Sequence, residues 1–373
     1  MKKLLGILLA VFMVFGLVGC ADKTYEIAVV TDVGQLNDGG FNQFTYEGAK
    51  SFAEDNNLTY NYYQPANGEN ATDKDRVAAM HTAIENGAKV IVCPGFMQAA
   101  ALAEVANESK DVMFVFVDGW TPLSDANGKT LDLQNLTAIV YAEQEAGYFA
   151  GYAAAKDGYT KLGGTFGGGA TNPACNRYCF GYIQGIQAAA KELGATVDVK
   201  VSFKYGDGFS ASAELQTQIA GWYKDGYQVV FSCGGSMLQS VKAAAAEYNG
   251  AKIIGVDVDQ SGEGENVITS ACKGLSASVY QTLEAWKAGK WSSLAGKTTN
   301  KTAADKGTEI PTNDKAWRFS KFTKEEYKAV FDKVVSGAIK INAKCDNLKK
   351  FAENADWQAL VAACPNVNLV VEE

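Results

Sequence analysis

The chain of 373 residues contains a single histidine, His81. That scarcity excludes metal sites built on two or more imidazoles and leaves at most one histidine proton relay. Positive charge is in the minority: 34 Lys+Arg stand against 42 Asp+Glu, a net charge of -8, with no long basic run. A nucleic-acid binder needs an electropositive footprint, so that class is set aside. Beyond the first twenty residues no apolar run approaches the roughly 18 residues that a membrane-spanning helix requires. Neither a GxxxxGK[ST] phosphate loop nor a Ser-His-Asp arrangement can be picked out. The hydrophobic share of 47% is ample for packed cores, and the length fits one large or two medium domains.

What is present begins with an export signal. Lys2 and Lys3 form a positive start, residues 4–18 are apolar, and the run closes on Leu17, Val18, Gly19 and Cys20. This segment is similar to a bacterial lipoprotein signal, which implies cleavage before Cys20 and acylation of its thiol. Without Lys2 and Lys3 the chain carries 32 positive and 42 negative groups, or -10, and is expected to sit on the extracytoplasmic side of the cell membrane, held by the lipid on Cys20. That side is generally oxidising, so the seven remaining cysteines matter. Cys175 and Cys179 lie four apart, and Cys345 and Cys364 bracket the last helical stretch, so each pair is spaced to close a small disulfide loop. Cys93, Cys233 and Cys272 lie in apolar or small-residue segments and read as buried. The odd total requires at least one free thiol.

Hydrophobic periodicity predicts strands at residues 26–30, 59–63, 90–93 and 113–117, with helices after Phe41 and at 73–86 and 98–108 between them. A second series follows: a helix from Glu143, then strand 162–166, helix 181–193, strand 197–203, helix 212–224, strand 229–232, helix 238–248 and strand 252–256. Strands alternating with helices mean parallel, doubly wound α/β sheets in two successive lobes. One more helix is read at 275–288, and Thr323 with Glu326 opens another by a capping-box pattern. Residues 25–140 plus 268–290 are assigned to the first lobe, 141–267 plus 291–342 to the second. Residues 343–373 form a C-terminal extension of no predicted placement.

In open α/β sheets ligands bind beyond the carboxyl ends of the strands. Four loops at such ends are rich in acidic, aromatic and glycine residues: TDVGQLNDGGFNQ, VDGW around Asp118, YGDGFS around Phe209, and GVDVDQ around Asp257. Glycines let a backbone approach closely, carboxylates accept from hydroxyls, and phenylalanines offer stacking faces. The combination suits a neutral, polyhydroxylated, aromatic ligand.

With these loops on the page, TDVGQLNDGGFNQFTYEGAK resembles the opening motif of the basic membrane protein family of ABC-transporter substrate-binding lipoproteins, whose characterised members bind purine nucleosides. VFVDG, AGYFAG, CFGYIQGIQAA, YGDGF, CGGSM, GVDVDQ and TSACKG follow in the family's order, across roughly residues 25–340. The resemblance implies a type I periplasmic-binding-protein fold, two lobes joined by three crossovers, with no cofactor, no metal and no catalysis. It implies a monomer that delivers its nucleoside to an ABC permease. Position by position it also implies that Phe41 and Phe209 sandwich the purine and that Asn42 and Asp118 bond its edge. Asp32, Gly235, Asp257 and Lys273 would surround the ribose. Departures are the SASAEL stretch after Phe209, where the family often has an acidic residue followed by proline, and the long tail.

Each residue also has an ordinary structural reading: Phe41 as a core contact, Asp32 and Asp38 as turn or cap residues, Asp257 as a strand-end cap, Trp120 as packing beneath a loop. Two other functions compete. One is a sugar or signal-molecule binder of the same fold. The other is a calcium-dependent nucleoside hydrolase, disfavoured because TDVGQLNDG lacks the adjacent aspartate pair and His81 falls on a predicted helix away from the loops.

Overall fold

A computed structural model of the chain describes residues 24–33 and 35–372, apart from the side chain of Glu69. The export signal and Cys20 lie outside the described residues. In the first lobe, β1 (Ile27–Val30), β2 (Tyr60–Tyr63), β3 (Val90–Pro94), β4 (Met113–Val117) and β5 (Leu136–Tyr141) alternate with α1 (Phe41–Asp55), α2 (Asp73–Glu85) and α3 (Ala99–Glu108). The second lobe runs α4 (Glu143–Lys156), β6 (Lys161–Phe166), α5 (Pro173–Leu193), β7 (Val197–Ser202), α6 (Ala213–Lys224), β8 (Val229–Cys233), α7 (Met237–Ala245), β9 (Lys252–Asp257) and β10 (Val267–Lys273). There follow α8 (Leu275–Lys287), β11 (Thr298–Lys301), β12 (Thr308–Glu309), α9 (Lys324–Val335), α10 (Ala355–Ala363) and β13 (Val367–Glu372).

The first sheet has the order β11-β5-β4-β3-β1-β2 and the second β12-β10-β9-β8-β6-β7-β13. Apart from the antiparallel pair β10 and β12, the neighbours run parallel. Strands such as β1, β3 and β8 are buried throughout, as parallel strands covered by helices on both faces must be. The chain leaves the first lobe after Tyr141, returns after Lys273 and leaves again after Lys301.

That path corrects two assignments. Residues 268–273 were expected in the first lobe, but they form β10, which is buried along its whole length beside β9 in the second sheet. Residues 298–301, expected in the second lobe, form β11 at the edge of the first sheet, parallel to β5. Its sequence TTNK is polar and half exposed, so no hydrophobic pattern marks it as a strand. A third correction concerns α5, which starts at Pro173 rather than 181 because Asn172 caps it through the Cys175 amide and proline occupies its first turn. The sequence ACNRYC is therefore helix, not a disulfide loop, and all seven described cysteines are free thiols.

Two motifs of the sequence find their explanation in packing. Gly147 and Gly151 on α4 face Gly181 and Gly185 on α5, and a Cβ on any of them would lie 1.9–2.3 Å from a backbone carbonyl oxygen of the opposite helix. The helices touch backbone to backbone, which only glycine permits. The tail, too, acquires a place. β13 pairs in parallel with β7 over six residues, and Leu348, Trp357 and Leu360 are buried in the core of the second lobe. Trp357 packs edge-on against Phe351 at 4.9 Å.

Candidate functional site

Between the lobes lies a cleft of about 650 Å³, counting the part open to solvent, and Asp32, Phe41, Asn42, Asp118, Phe209, Gly235, Asp257 and Lys273 all line it. The first lobe contributes the loops after β1, β3 and β4. The second contributes the start of α5, the Phe209 loop, and the ends of β8, β9 and β10. Three of the lining side chains are held in left-handed backbone conformations: Asp118 (φ 56°), Phe209 (φ 59°) and Asp257 (φ 66°). Such conformations cost about 1–3 kcal/mol each in a non-glycine residue and gather at functional sites.

The electrostatic centre is Lys273. Its ammonium is buried, paired with Asp118, and lies 3.4 Å from Glu143 Oε1 and 3.5 Å from Asp257 Oδ1. Burial works against its charge, but Asp118, Asp257 and Glu143 outweigh burial and hold Lys273 well above the usual lysine range. Burial pushes the Asp118 carboxyl up to about 6, with Lys273 opposing and the neighbouring carboxylates adding to the rise. Asp257 is raised for the same first reason and accepts from the Tyr178 hydroxyl at 3.2 Å. Arg177 Nε binds the other oxygen of Glu143 at 2.6 Å. Two cations thus face three carboxylates, leaving acceptor capacity in a buried site, and Asp118 Oδ1 has no hydrogen-bond partner. Polar hydrogens from a ligand suit such an oxygen.

On the opposite wall Asp32 packs over Gly95, whose φ is +92° and where a Cβ would fall 1.9 Å from Asp32 Oδ2. Burial raises the Asp32 carboxyl to about 6 against the pull of the buried Arg76, 3.5 Å away. Its Oδ1 also has no hydrogen-bond partner. Gly235 serves a similar purpose, since a side chain there would meet the Phe209 carbonyl at 2.5 Å.

Asn42 lines the cavity, but its amide is spent inside the loop. Nδ2 donates to Val33 O and Asp38 Oδ2, and Oδ1 accepts from the Asp32 amide. Its expected bond to a ligand edge therefore finds both N–H groups engaged, and it shapes the loop that presents Asp32. Asp38 accepts from the amides of Gly40, Asn42 and Gln43, the capping role of its ordinary reading. Gln260 likewise accepts from the Val256 amide. His81 is half exposed on α2 beside Glu108, apart from the cavity. Trp120, expected to be packed, is 47% exposed and leans on Phe116.

Phe96, Arg76, Glu143, Arg177 and Tyr178 were missed by sequence reasoning. Phe96 lines the cavity and meets Phe209 edge-on at 6.1 Å across the two lobes; its place just after a strand end was the available signal. Glu143 stands three residues before AGYFAG, at the first position of α4. Arg177 and Tyr178 were hidden in the stretch read as a cysteine loop.

A model of the family described as ABC transporter substrate-binding protein PnrA-like matches residues 25–344. The ABC transporter nucleoside-binding protein BmpA of Lactococcus lactis subsp. cremoris is 31% identical over 257 residues, 66% of this chain and 67% of that protein. Basic membrane protein B of Borreliella burgdorferi is 28% identical over 199 residues, 52% of this chain and 54% of that one. A crystal structure of ABC transporter solute-binding proteins from Aeropyrum pernix K1 superposes with a TM-score of 0.71 at 18% identity, covering 91% of this chain and 97% of the other. The last likeness shows a shared fold, the α/β architecture of type I periplasmic binding proteins.

Proposed function

Since the chain belongs to the family of PnrA-like ABC transporter substrate-binding proteins, we propose that it is an extracytoplasmic receptor that closes on a purine nucleoside and delivers it to an ABC permease. The observation that carries this reading is the convergence of Phe41 and Phe209, from opposite lobes, with Asp32, Asp118, Asp257 and Lys273 in one cavity. Two rings suit the faces of a base, and each stacking contact supplies on the order of 1–3 kcal/mol. Because the rings come from different lobes, a bound base favours the closed arrangement over the open one. Asp118 would bond the base edge. Asp257 and Asp32 would accept from ribose hydroxyls, Lys273 would donate to one, and Gly235 would border the sugar.

The nucleoside-binding Lactococcus relative supports the ligand class. In this reading the chain performs no reaction, acts as a monomer, and is tethered through a lipid on Cys20. No described helix is long and apolar enough to cross a membrane. The test is to strip bound ligand by unfolding and refolding, then titrate calorimetrically with guanosine, adenosine, inosine, cytidine, free bases and ribose. Tight 1:1 binding of a purine nucleoside with silent ribose is expected. Silence from every nucleoside would sink the proposal, and binding of ribose alone would make the site a sugar site.

A further inference from the structure

We propose that Arg76 is a positioning residue for the ligand cleft: from behind the wall it holds the Asp32 carboxylate charged and in place as an acceptor for ligand hydroxyls. The ligand in this inference rests on the receptor reading above; the residue and its role go beyond it. Arg76 is the fourth residue of α2, and its side chain is 2% exposed. Asp32 lines the cleft and Arg76 stands behind it, with Nη2 3.5 Å from Asp32 Oδ1. Nη1 donates to Ala71 O at 2.9 Å, and Nη2 meets Met97 Sδ at 4.0 Å. Nε has no hydrogen-bond partner among the described residues.

So placed, an arginine is a poor device for stability. Burial strips the guanidinium of water, and an apolar residue of similar volume would pack the position as well or better. Its other carboxylate neighbour, Asp73 at 3.8 Å, is 64% exposed and screened by water. What arginine supplies here and methionine would not is a fixed positive charge facing Asp32. The pairing is one of charge, since Asp32 Oδ1 has no hydrogen-bond partner, so the carboxylate keeps capacity for donors. Asn42 Oδ1 accepts from the Asp32 amide at 3.0 Å, and a Cβ at Gly95 would fall 1.9 Å from Asp32 Oδ2, so backbone and carboxylate are both held in place. Other charged and titratable groups surround the pair. Asp38 shares the loop, Cys93 on β3 is kept a neutral thiol by burial and by Asp32, Asp73 stands beyond Arg76, and Lys273, Asp118 and Asp257 line the same cleft. Among the described residues Arg76 is the one cation within ion-pair reach of Asp32. Burial lifts the Asp32 carboxyl to about 6, and the charge of Arg76 is the largest force opposing that rise. Without it the carboxyl would keep its proton near neutral pH, and a protonated acid is a weaker acceptor for a ligand hydroxyl.

The test follows the aspartate carboxyl carbons of the isotope-labelled full chain by NMR across the acid-to-alkaline range, taking the signal lost in Asp32→Asn as that of Asp32. The wild type should titrate near 6. Arg76→Gln should raise the midpoint by about 1–3 pH units, while Arg76→Lys, which keeps the charge, should stay close to the wild type. Calorimetry with guanosine supplies the second readout. A rise of about two pH units weakens binding about tenfold near pH 7 and lets it recover near pH 9, whereas a merely structural role would weaken it by the same factor at every pH. In the Asp32→Asn background, Arg76→Gln should leave the pH profile of affinity unchanged. A wild-type midpoint in Arg76→Gln, or a loss of affinity independent of pH, would overturn the proposal. In the wild type the Arg76 Nε signal should move with the Asp32 midpoint, and its indifference to that titration would overturn the proposal whether or not the Arg76 variants fold. The midpoints are read without ligand, so silence of the wild type towards guanosine would count against the receptor reading while the titration still decides the role of Arg76.

Discussion

At the scale of single residues, the cavity wall carries a division of labour that residue types alone do not reveal. All four of Phe41, Asp257, Asn42 and Asp38 line the cavity, but Asn42 and Asp38 spend their polar atoms within their own loop. Phe41→Ala and Asp257→Ala are each expected to weaken nucleoside binding at least about tenfold, roughly 1.4 kcal/mol, while circular dichroism of each free variant keeps the wild-type fold. Calorimetric titration with unchanged affinity in both variants would defeat the site. Asp32 gives a pH signature. Its folded carboxyl is raised by burial to about 6 from 3.8, so the folded chain holds this proton more tightly than the unfolded one. The resulting stabilisation is complete below about 3.8 and is lost as the pH rises through about 6. The unfolding free energy of the wild type minus that of Asp32→Asn should therefore fall across this window and level off above it. Chemical denaturation at several pH values checks the slope, and a flat difference would show that Asp32 is not shifted.

Among elements, the contact of α4 with α5 is the tightest constraint. At Gly181 a methyl group would lie 1.9 Å from the Gln144 carbonyl oxygen, backbone that cannot swing aside. Gly181→Ala should cost about 1–3 kcal/mol by forcing the helices apart, which urea unfolding would register as a lower midpoint. An unchanged midpoint would mean that the two helices separate freely. The tail makes the opposite point, because burial there adds stability. Trp357 is buried against Phe351 and Phe180, so Trp357→Ala should lose about 3–5 kcal/mol, and a chain ending at Asn342 should unfold at a lower temperature. The strands and helices with strong periodicity were legible in the sequence to within a residue or two, from β1 through β9, apart from β5, the first turns of α5 and the end of α7, which stops at Ala245 rather than 248. The weakly patterned pieces were not: β11 is polar, β12 has two residues, and α10 and β13 depend on surfaces that the rest of the second lobe provides.

For the whole molecule, the two lobes meet through crossovers that bear charge. Lys273 ends one crossing strand and Glu143 follows another, so the ion cluster sits where the chain crosses between the lobes. A ligand bound only by the folded, closed form stabilises it by mass action, about 2.7 kcal/mol at a hundredfold excess over Kd. A purine nucleoside should accordingly raise the melting temperature of the stripped protein, and ribose should leave it unchanged; equal shifts from both would point to a site that ignores the base. The sequence by itself determined the two-lobed α/β plan and the loops from which the cavity is built. Apolar periodicity and glycine-rich strand ends are local properties that survive in one dimension. Only the tertiary structure decided which oxygens remain open to a ligand, that Glu143 and Arg177 complete the Lys273 cluster, and which sheets receive β10, β11 and β13. Those facts depend on burial and on contacts between segments far apart in the chain, and no pattern within a single segment encodes them.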